Sequence, residues 1–349
     1  MNNDSKTSPT LNRPAGGGKL TNIQVLRFFS ALAVSMFHIG FLDPLGNDYH
    51  VVWLVNGVFI FYAISGYVTM LSTESGCEKF MLKRLIRIMP LYWFLTFATF
   101  AAMKVVPSVF PYEPSLTELI KSLFLISYSH QATATANAMY PIVSMGHTIQ
   151  TTMLYYLVFW IACKLSFKNR GLISTVVLLA VVICGYALRP GDAFFRFYTK
   201  PDVAYFIVGI AVYYVHKRMG NIKFPKTAIV SVLLVLIFAA TMYLHSIWIM
   251  SAAIFVLMLL SVTINDKNAF ENHSWYRGLV AMGNWTFSYF LVHLYILRVV
   301  EVVGGTSFTT KAVACDFIGI IVAWGVSYLL YTIIEQRFTN VLKGWLLKR

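Results

Sequence analysis

The sequence predicts an all-α integral membrane protein, a bundle of about ten transmembrane helices. Hydrophobic residues fill 58% of the 349 positions, charged residues only 12%, and the mean hydropathy is +0.67. This balance lies outside the range of soluble domains. The apolar residues form segments that approach the roughly 20 residues a helix needs to cross a bilayer. The net charge of +14 comes from short basic clusters between these segments, a placement that indicates membrane orientation and argues against nucleic-acid binding.

The candidate spans, in chain order, are 22–42, 51–71, 84–106, 146–165, 171–188, 201–216, 225–243, 246–264, 279–300 and 312–335. With the N-terminus inside, twenty Lys and Arg residues fall in the inner connections and seven in the outer ones. Because positive loops stay in the cytoplasm, this bias predicts that both termini are cytoplasmic. The predicted organisation is a disordered cytoplasmic tail over 1–19, a transmembrane domain over 20–340 and a basic cytoplasmic tail over 341–349. No cleavable signal peptide is visible, so we expect the first span to be the insertion signal.

The longest outer connection, 107–145, contains four prolines that break any continuous span. Ser115 and Glu118 form a capping box ahead of an apolar run, which predicts a short amphipathic helix at the outer surface. This helix either covers the bundle or forms a lid over a binding site. The four cysteines show no metal-ligand spacing, so we expect unpaired packing residues and no metal site.

The first span holds two ionisable residues, Arg27 and His38. Eleven residues at 100° each return almost to the same helical face, and the rise places the two about 16–17 Å apart along the axis. Such a pair is costly in a bilayer unless it lines a polar cavity. A guanidinium near the inner face is suited to binding a phosphate, and an imidazole farther out is suited to general-base chemistry. We therefore expect one polar cavity that joins them.

A second basic cluster follows the second span. Arg84 and Arg87 are three residues apart, so they lie next to each other on a helix surface. One interpretation is a positive-inside anchor with an aromatic belt of Tyr92 and Trp93. The other is a second phosphate site that joins Arg27 at the same face.

Taken together, five segments resemble the membrane-bound acyltransferase family 3, which includes polysaccharide and lipopolysaccharide O-acetyltransferases. The resemblance covers about residues 20–340. Its motifs are an arginine, ten residues and a histidine in "LRFFSALAVSMFH", the run "GVFIFYAISGY", the Arg-x-x-Arg of "FMLKRLIRIMPLYWF", the segment "WTFSYFLVHLYIL" and the terminal "IIEQRF".

The resemblance implies an enzyme of the bacterial inner membrane that transfers an acyl group, usually acetyl, from cytoplasmic acyl-CoA to a hydroxyl of a surface glycan or lipid-linked sugar. It implies that His38 is catalytic and that the donor-binding residues are Arg27, Arg84 and Arg87. The supporting positions that it implies are Tyr92, Tyr156, Glu335 and Ser65. For Ser65 and its neighbour Gly66, ordinary close helix packing is the preferred interpretation.

Two departures from the family pattern stand out. At the start of the fourth span, His147 stands where the family has a Trp and Thr152 stands where it has a Glu, although Tyr156 is kept. Tyr205 stands where the family has another Glu. These changes remove two carboxylates that would orient a histidine or oppose an arginine, and His147 is the residue available to compensate.

Two alternatives to an enzyme remain open at this stage. One is a multi-pass transporter or flippase for a lipid-linked sugar or small anion, although the sequence shows no internal repeat of the kind many transporters carry. The other is a membrane sensor or assembly partner with the same fold. For the enzyme itself, direct transfer and transfer through an acyl-enzyme are both compatible with the sequence.

Overall fold

The computed structural model describes residues 20–39, 52–107, 110, 112–129, 139–219, 233, 236–241, 246–263, 273–305 and 309–347. Within these residues every regular element is a helix, which confirms the all-α class. Five helical stretches are long and apolar enough to cross a membrane: Leu54–Ser72, Phe80–Val105, Arg170–Leu188, Ser274–Gly304 and Thr310–Leu346. Shorter apolar helices cover Thr21–Phe37 and Ile247–Thr263.

The α-helices are α1 (Thr21–Phe37), α2 (Gly57–Ser72), α3 (Phe80–Val105), α4 (Leu116–Leu123), α5 (Gly146–Leu165), α6 (Arg170–Leu188), α7 (Ala193–Tyr198), α8 (Tyr205–Met219), α9 (Ile247–Thr263), α10 (Ser274–Gly304), α11 (Thr310–Leu330) and α12 (Thr339–Leu346). Short 3-10 turns at Val52–Asn56 and Pro201–Ala204 lead into α2 and α8, and a π-helical segment, Tyr331–Phe338, joins α11 to α12.

Nine of the ten predicted spans coincide with a described helix. The remaining one, 225–243, and the tail 1–19 lie largely or wholly outside the described residues. Helix α5 is long enough to cross a membrane but not apolar enough to count as an independent span, and helix α8 is too short. The count of ten spans and the cytoplasmic location of the termini therefore stay predictions.

The relative direction of α1 and α10, the first and ninth predicted spans, agrees with spans that alternate in direction. Tyr276, near the start of α10, donates a 2.7 Å hydrogen bond to Asn22, near the start of α1. His38 at the end of α1 lies beside His293, about five turns further along α10, so the two helices run in the same direction. We call the end of the bundle that carries Arg84 the arginine end, and the opposite end the α4 end.

Two glycines let α2 and α8 pack with their backbones in contact. A Cβ atom at Gly66 would lie 2.2 Å from the carbonyl oxygen of Phe206, and one at Gly209 would lie 1.9 Å from that of Ala63. Neither position can hold a larger residue without a shift of the helices, which is the usual role of small residues in membrane bundles. Gly66 thus has the close helix packing that we expected, whereas Ser65 lines a cavity described below.

The predicted capping box is present at the start of α4. The Ser115 hydroxyl accepts from the Glu118 N–H, and the Glu118 carboxylate accepts from the Ser115 N–H at 2.8 Å. Leu119 packs on Met103 of α3, and the Tyr92 hydroxyl donates to the Ser122 carbonyl at 2.9 Å. These contacts hold α4 against α3.

The expectation that all the cysteines are unpaired is wrong for one pair. Cys77, in the turn between α2 and α3, forms a disulfide with Cys163 in the last turn of α5, with Cα atoms 6.3 Å apart. The turn after α2 carries Cys77 onto a helix that lies 86 residues further along the chain, a contact that spacing alone does not show. Cys184 and Cys315 are free.

Candidate functional site

A cavity of about 110 Å³ lies among α1, α2, α3, α5 and α10. The three predicted arginines converge on it from two different helices. Its polar lining consists of Arg27, Ser65, Arg84, Arg87, Thr148, Thr152, Tyr156, Asn284 and Thr286. The predicted site residues Ser65 and Tyr156 are therefore in the same cavity as the arginines.

Arg27 reaches the cavity because α1 packs tightly on α10. A Cβ atom at Gly283 would lie 2.1 Å from the carbonyl oxygen of Gln24, so a glycine is needed where the two helices touch. The Arg27 Nη1 lies 3.5 Å from the Gln24 amide oxygen, and its buried Nε has no hydrogen-bond partner among the described residues. Part of the guanidinium's donor capacity thus remains available to a ligand.

Arg84 and Arg87 lie on neighbouring turns of α3, as their spacing predicts. The Arg84 guanidinium donates to the Ser72 hydroxyl at 2.9 Å and lies 4.9 Å from the centre of the Tyr156 ring. It also contacts the Phe80 ring at 5.1 Å. These contacts hold the planar group in place between two aromatic rings.

Glu335 supplies negative charge beside the cavity. Its carboxylate accepts a short hydrogen bond from Ser288 and lies within electrostatic reach of Arg87 and Arg27. The residue belongs to the π-helical segment, a type of helix distortion that is frequent at functional sites. In the described part of the chain, the residues that line the cavity include no Asp or Glu, so one nearby carboxylate faces three guanidinium groups.

Thr152 explains part of this excess of positive charge. It stands where the family pattern has a glutamate, and it lines the cavity with its hydroxyl bonded to the Thr148 carbonyl at 2.8 Å. Tyr205, which stands at the second position where the family has a glutamate, does not line the cavity. It is buried and stacks on Phe59 with ring centres 4.5 Å apart. The loss of charge at Thr152 therefore acts on the cavity directly.

His38 forms the C-terminal cap of α1, next to a second histidine. Its ring centre lies 5.5 Å from that of His293 on α10. His293 is fully buried; its Nδ1 bonds to the Tyr289 carbonyl at 3.1 Å, and its Nε2 has no partner among the described residues. The sequence reasoning did not single out His293, although it is the histidine of the "WTFSYFLVHLYIL" segment.

The described residues that line the cavity include neither His38 nor His293, so the described part of the chain does not form the one continuous cavity that we expected. The ring of Phe290 lines the cavity, packs on Phe61 with centres 6.0 Å apart, and lies 5.9 Å from the His293 ring. Periodicity places Arg27 and His38 on one face of α1. It does not show that Phe290, from another helix, contacts both the cavity and the His293 ring. We call Phe290 and Phe61 the aromatic layer.

Two predicted supporting residues lie away from the arginines. Tyr92 is bonded to α4, as described above, and does not line the cavity. His147 lies near the α4 end, where its Nδ1 bonds to the Ser144 carbonyl at 2.7 Å and its ring contacts Tyr140. His147 is thus on the His38 side of the aromatic layer and does not replace the missing carboxylate beside the arginines.

These features define an integral membrane protein with a buried, cationic cavity and a separate pair of histidines. The family model described as an acyltransferase domain matches residues 20–332. The chain therefore belongs to the membrane-bound acyltransferase family 3.

A curated relative agrees with this assignment. The chain is 26% identical over 160 residues to the exopolysaccharide production protein ExoZ of Rhizobium meliloti (strain 1021). The alignment covers 45% of this chain and 49% of ExoZ, so the chain matches about half the length of that relative. No solved structure matches the chain significantly.

Proposed function

We propose that this protein is an O-acyltransferase that moves an acyl group, with acetyl as the family default, from acyl-CoA to a hydroxyl of an exported polysaccharide or glycolipid. Membership of the acyltransferase family and the similarity to an exopolysaccharide production protein support the class of reaction and of acceptor. The charge of the cavity supports acyl-CoA as the donor.

The observation that carries the donor assignment is the charge of the cavity. Three guanidinium groups meet beside one carboxylate, and none of the three forms an ion pair with a carboxylate in the described residues. Uncompensated cations are costly within a membrane, so the site is suited to an anionic ligand. Guanidinium groups bind phosphates through paired hydrogen bonds, and CoA carries three phosphate groups.

The proposed reaction forms one bond and breaks one bond. The acceptor hydroxyl oxygen attacks the thioester carbonyl carbon while His38 removes the hydroxyl proton. The new C–O bond forms, the C–S bond breaks, and the CoA thiolate leaves and takes up a proton, which His38 supplies. His293 lies beside His38 and is the second basic group available for this transfer. Because Phe290 separates the cavity from the histidines, the ring must move for the thioester to reach His38.

The proposed orientation follows from the charge bias of the sequence. The arginine end faces the cytoplasm, where acyl-CoA is made, and the α4 end faces outward, where the glycan is exposed. The proposed location is the bacterial inner membrane.

The reaction is tested with purified protein in detergent and radiolabelled acetyl-CoA. We expect slow thioester hydrolysis without acceptor and labelling of the surface glycan when it is added. Replacing His38 with Ala should abolish both, because the group assigned to remove the hydroxyl proton is lost. His273→Ala is the matched control, since His273 is the exposed N-cap of α10 and does not line the cavity.

In cells, mass spectrometry of surface glycans with and without the gene should show loss of the acyl group. Transport of a lipid-linked sugar or anion across a vesicle membrane, with no thioester cleavage, would contradict an enzyme and support the transporter alternative. Full activity of the His38→Ala variant would contradict the assigned base.

A further inference from the structure

The cavity that holds Arg27, Arg84 and Arg87, which we call the arginine cavity, is too small for the proposed donor. Its volume is about 110 Å³. Sites that hold small-molecule ligands have volumes of about 300–1,000 Å³. Acyl-CoA, with its adenine, ribose and three phosphates, is at the large end of such ligands. Donor binding therefore requires that a wall of the arginine cavity moves.

Two helix pairs beside the cavity are locked together through their backbones. A Cβ atom at Gly209 of α8 would lie 1.9 Å from a carbonyl oxygen of α2, and one at Gly283 of α10 would lie 2.1 Å from a carbonyl oxygen of α1. The wall formed by α3 and α5 is joined through side chains instead. Phe80 of α3 packs on Tyr156 and Phe159 of α5, with ring centres 5.9 and 5.3 Å apart.

Space for movement lies behind the α3–α5 wall. A second cavity of about 730 Å³, lined mainly by apolar side chains, lies on the other side of this wall. Neighbouring residues line opposite spaces: Ile88 and Ile149 line the arginine cavity, whereas Met89 and Gln150 line the space behind. A shift of α3 or α5 into this space enlarges the arginine cavity without overpacking a filled core.

The disulfide between Cys77 and Cys163 crosses the α3–α5 wall at the arginine end. Cys77 lies three residues before Phe80, the first residue of α3, and Cys163 lies one turn beyond Phe159 on α5. The bond thus fastens together the two segments whose rings pack against each other. Since Arg84 contacts the Phe80 ring at 5.1 Å, this covalent clamp lies next to a donor-binding group.

A permanent disulfide is not expected at this end of the bundle. In the proposed orientation the arginine end faces the cytoplasm, where thiols are kept reduced. Cytoplasmic disulfides, when present, are usually catalytic or redox-sensing. Cys77 and Cys163 are both half-buried, so part of the disulfide is exposed to a reductant.

We propose that the Cys77–Cys163 disulfide is a redox lock on donor entry: the oxidised protein keeps the arginine cavity closed, and reduction by a cytosolic dithiol lets it open. A thiolate of the reductant attacks one sulfur of the disulfide, and its second thiol then resolves the mixed disulfide. The S–S bond breaks, the protein takes up two electrons and two protons as two thiols, and the reductant becomes a disulfide. This inference rests on the proposed function and adds a means of regulation to it.

The reduced protein keeps noncovalent links around the same turn. Arg170, at the start of α6, donates to the Thr73 hydroxyl at 3.2 Å, and Tyr213 of α8 donates to the Glu74 carboxylate at 2.7 Å. These hydrogen bonds hold the turn between α2 and α3 against its neighbours. Reduction therefore frees the α3–α5 wall without unfolding the bundle.

The lock is tested on the full-length protein in detergent, oxidised with glutathione disulfide or reduced with dithiothreitol. The probe is S-ethyl-CoA, a thioether that has no thiol to react with the disulfide and no thioester to be cleaved. Calorimetry measures its Kd in each state, and alkylation with mass spectrometry reports the state of Cys77 and Cys163. We expect the oxidised protein to bind the probe about tenfold more weakly, within the usual range for coupled sites.

The reduction equilibrium supplies a second measurement on the same protein. Because coupling between two equilibria is reciprocal, saturating S-ethyl-CoA should favour reduction of the disulfide by the same factor of about ten. Titration with mixtures of the dithiol and disulfide forms of dithiothreitol, with and without the probe, measures this equilibrium.

Cysteine variants assign the effect to this bond. Cys77→Ser and Cys163→Ser should each bind the probe as tightly as the reduced protein and should no longer respond to either reagent. The matched control is the double variant Cys184→Ser with Cys315→Ser, which removes the two free cysteines and should keep the full response.

In growing cells, acid quenching and alkylation should find Cys77 and Cys163 reduced, and joined after exposure to the thiol oxidant diamide. A disulfide that stays intact in growing cells would overturn the lock, as would equal affinity in the two states or tighter binding by the oxidised protein. These outcomes leave acetyl-CoA hydrolysis and its dependence on His38 intact, so they are distinguishable from failure of the proposed function. No binding in either state would overturn the lock together with the donor assignment.

Discussion

The rings of His38 and His293 lie 5.5 Å apart between centres, on two helices that run in the same direction. The His293 Nδ1 is engaged by the Tyr289 carbonyl, which fixes the ring and leaves Nε2 as the nitrogen with a free lone pair. His38 is the C-terminal cap of α1, and its ring also contacts Phe37. The pair thus joins imidazoles from the end of one helix and the interior of another.

We predict that His293 takes part in transfer and not in donor binding. His293→Ala should lower kcat about 10²-fold or more, the usual range for loss of a positioned acid–base group, with the KM for acetyl-CoA unchanged. Steady-state kinetics with fixed acceptor measures both constants. A rise in KM with an unchanged kcat would contradict this role, and His273→Ala controls for loss of a histidine at the N-cap of α10.

The guanidinium groups of Arg84 and Arg87 should bind the phosphates of the donor. Replacing each with Gln should raise the Kd for CoA about tenfold, because a charge-assisted hydrogen bond is lost. Binding of an acyl-pantetheine that lacks the nucleotide should change much less. Isothermal calorimetry in detergent measures both ligands.

Lys83→Gln is the matched control for the arginines, since Lys83 precedes Arg84, is exposed and does not line the cavity. An equal loss of CoA affinity in this variant would show that the effect is general surface charge. Equal losses for CoA and acyl-pantetheine in the arginine variants would count against a phosphate site.

The Phe290 ring should slow the hydrolysis of acetyl-CoA when no acceptor is present. Phe290→Ala removes the ring between the cavity and the histidines, so water should reach the thioester more readily. We expect acetyl-CoA hydrolysis without acceptor to rise several-fold, as measured by thiol release. Phe317→Ala, an exposed phenylalanine on α11, should leave that rate unchanged. A fall in hydrolysis for Phe290→Ala would indicate that the ring helps to position the thioester.

The close contact of α2 and α8 should make Gly209 sensitive to substitution. Gly209→Ala forces a methyl group against the Ala63 carbonyl, and overpacking of this kind costs about 1–3 kcal/mol. The melting temperature in detergent should fall clearly. Gly325→Ala on α11, where a Cβ atom meets nothing within 4 Å, should leave it unchanged or raise it slightly. Equal melting temperatures would show that the two helices separate without cost.

Local pattern was enough to predict the helices, the capping box of Ser115 and Glu118, and the neighbouring positions of Arg84 and Arg87. Each depends on residues a few positions apart, where helix geometry leaves little freedom. Matching these arginines with Arg27 required the additional assumption that all three lie at the same side of the membrane.

The features that sequence reasoning missed depend on contacts between distant segments. The disulfide joins Cys77 and Cys163, 86 residues apart. Phe290 enters the space beside α1 from a helix more than 250 positions later in the chain, and a phenylalanine in an apolar run carries no sign of that placement. His293 was visible as a histidine in an apolar segment, but its position next to His38 follows from the contact of α1 with α10.

The aromatic layer has a consequence for the cell as well as for the reaction. A water-filled passage from the arginines to the histidines would conduct protons and dissipate the electrochemical gradient that a bacterial membrane maintains. The Phe290 ring, packed on Phe61 with centres 6.0 Å apart, lies where such a passage would run. If the proposed reaction is correct, this contact would let donor and acceptor meet inside the membrane without an open ion path.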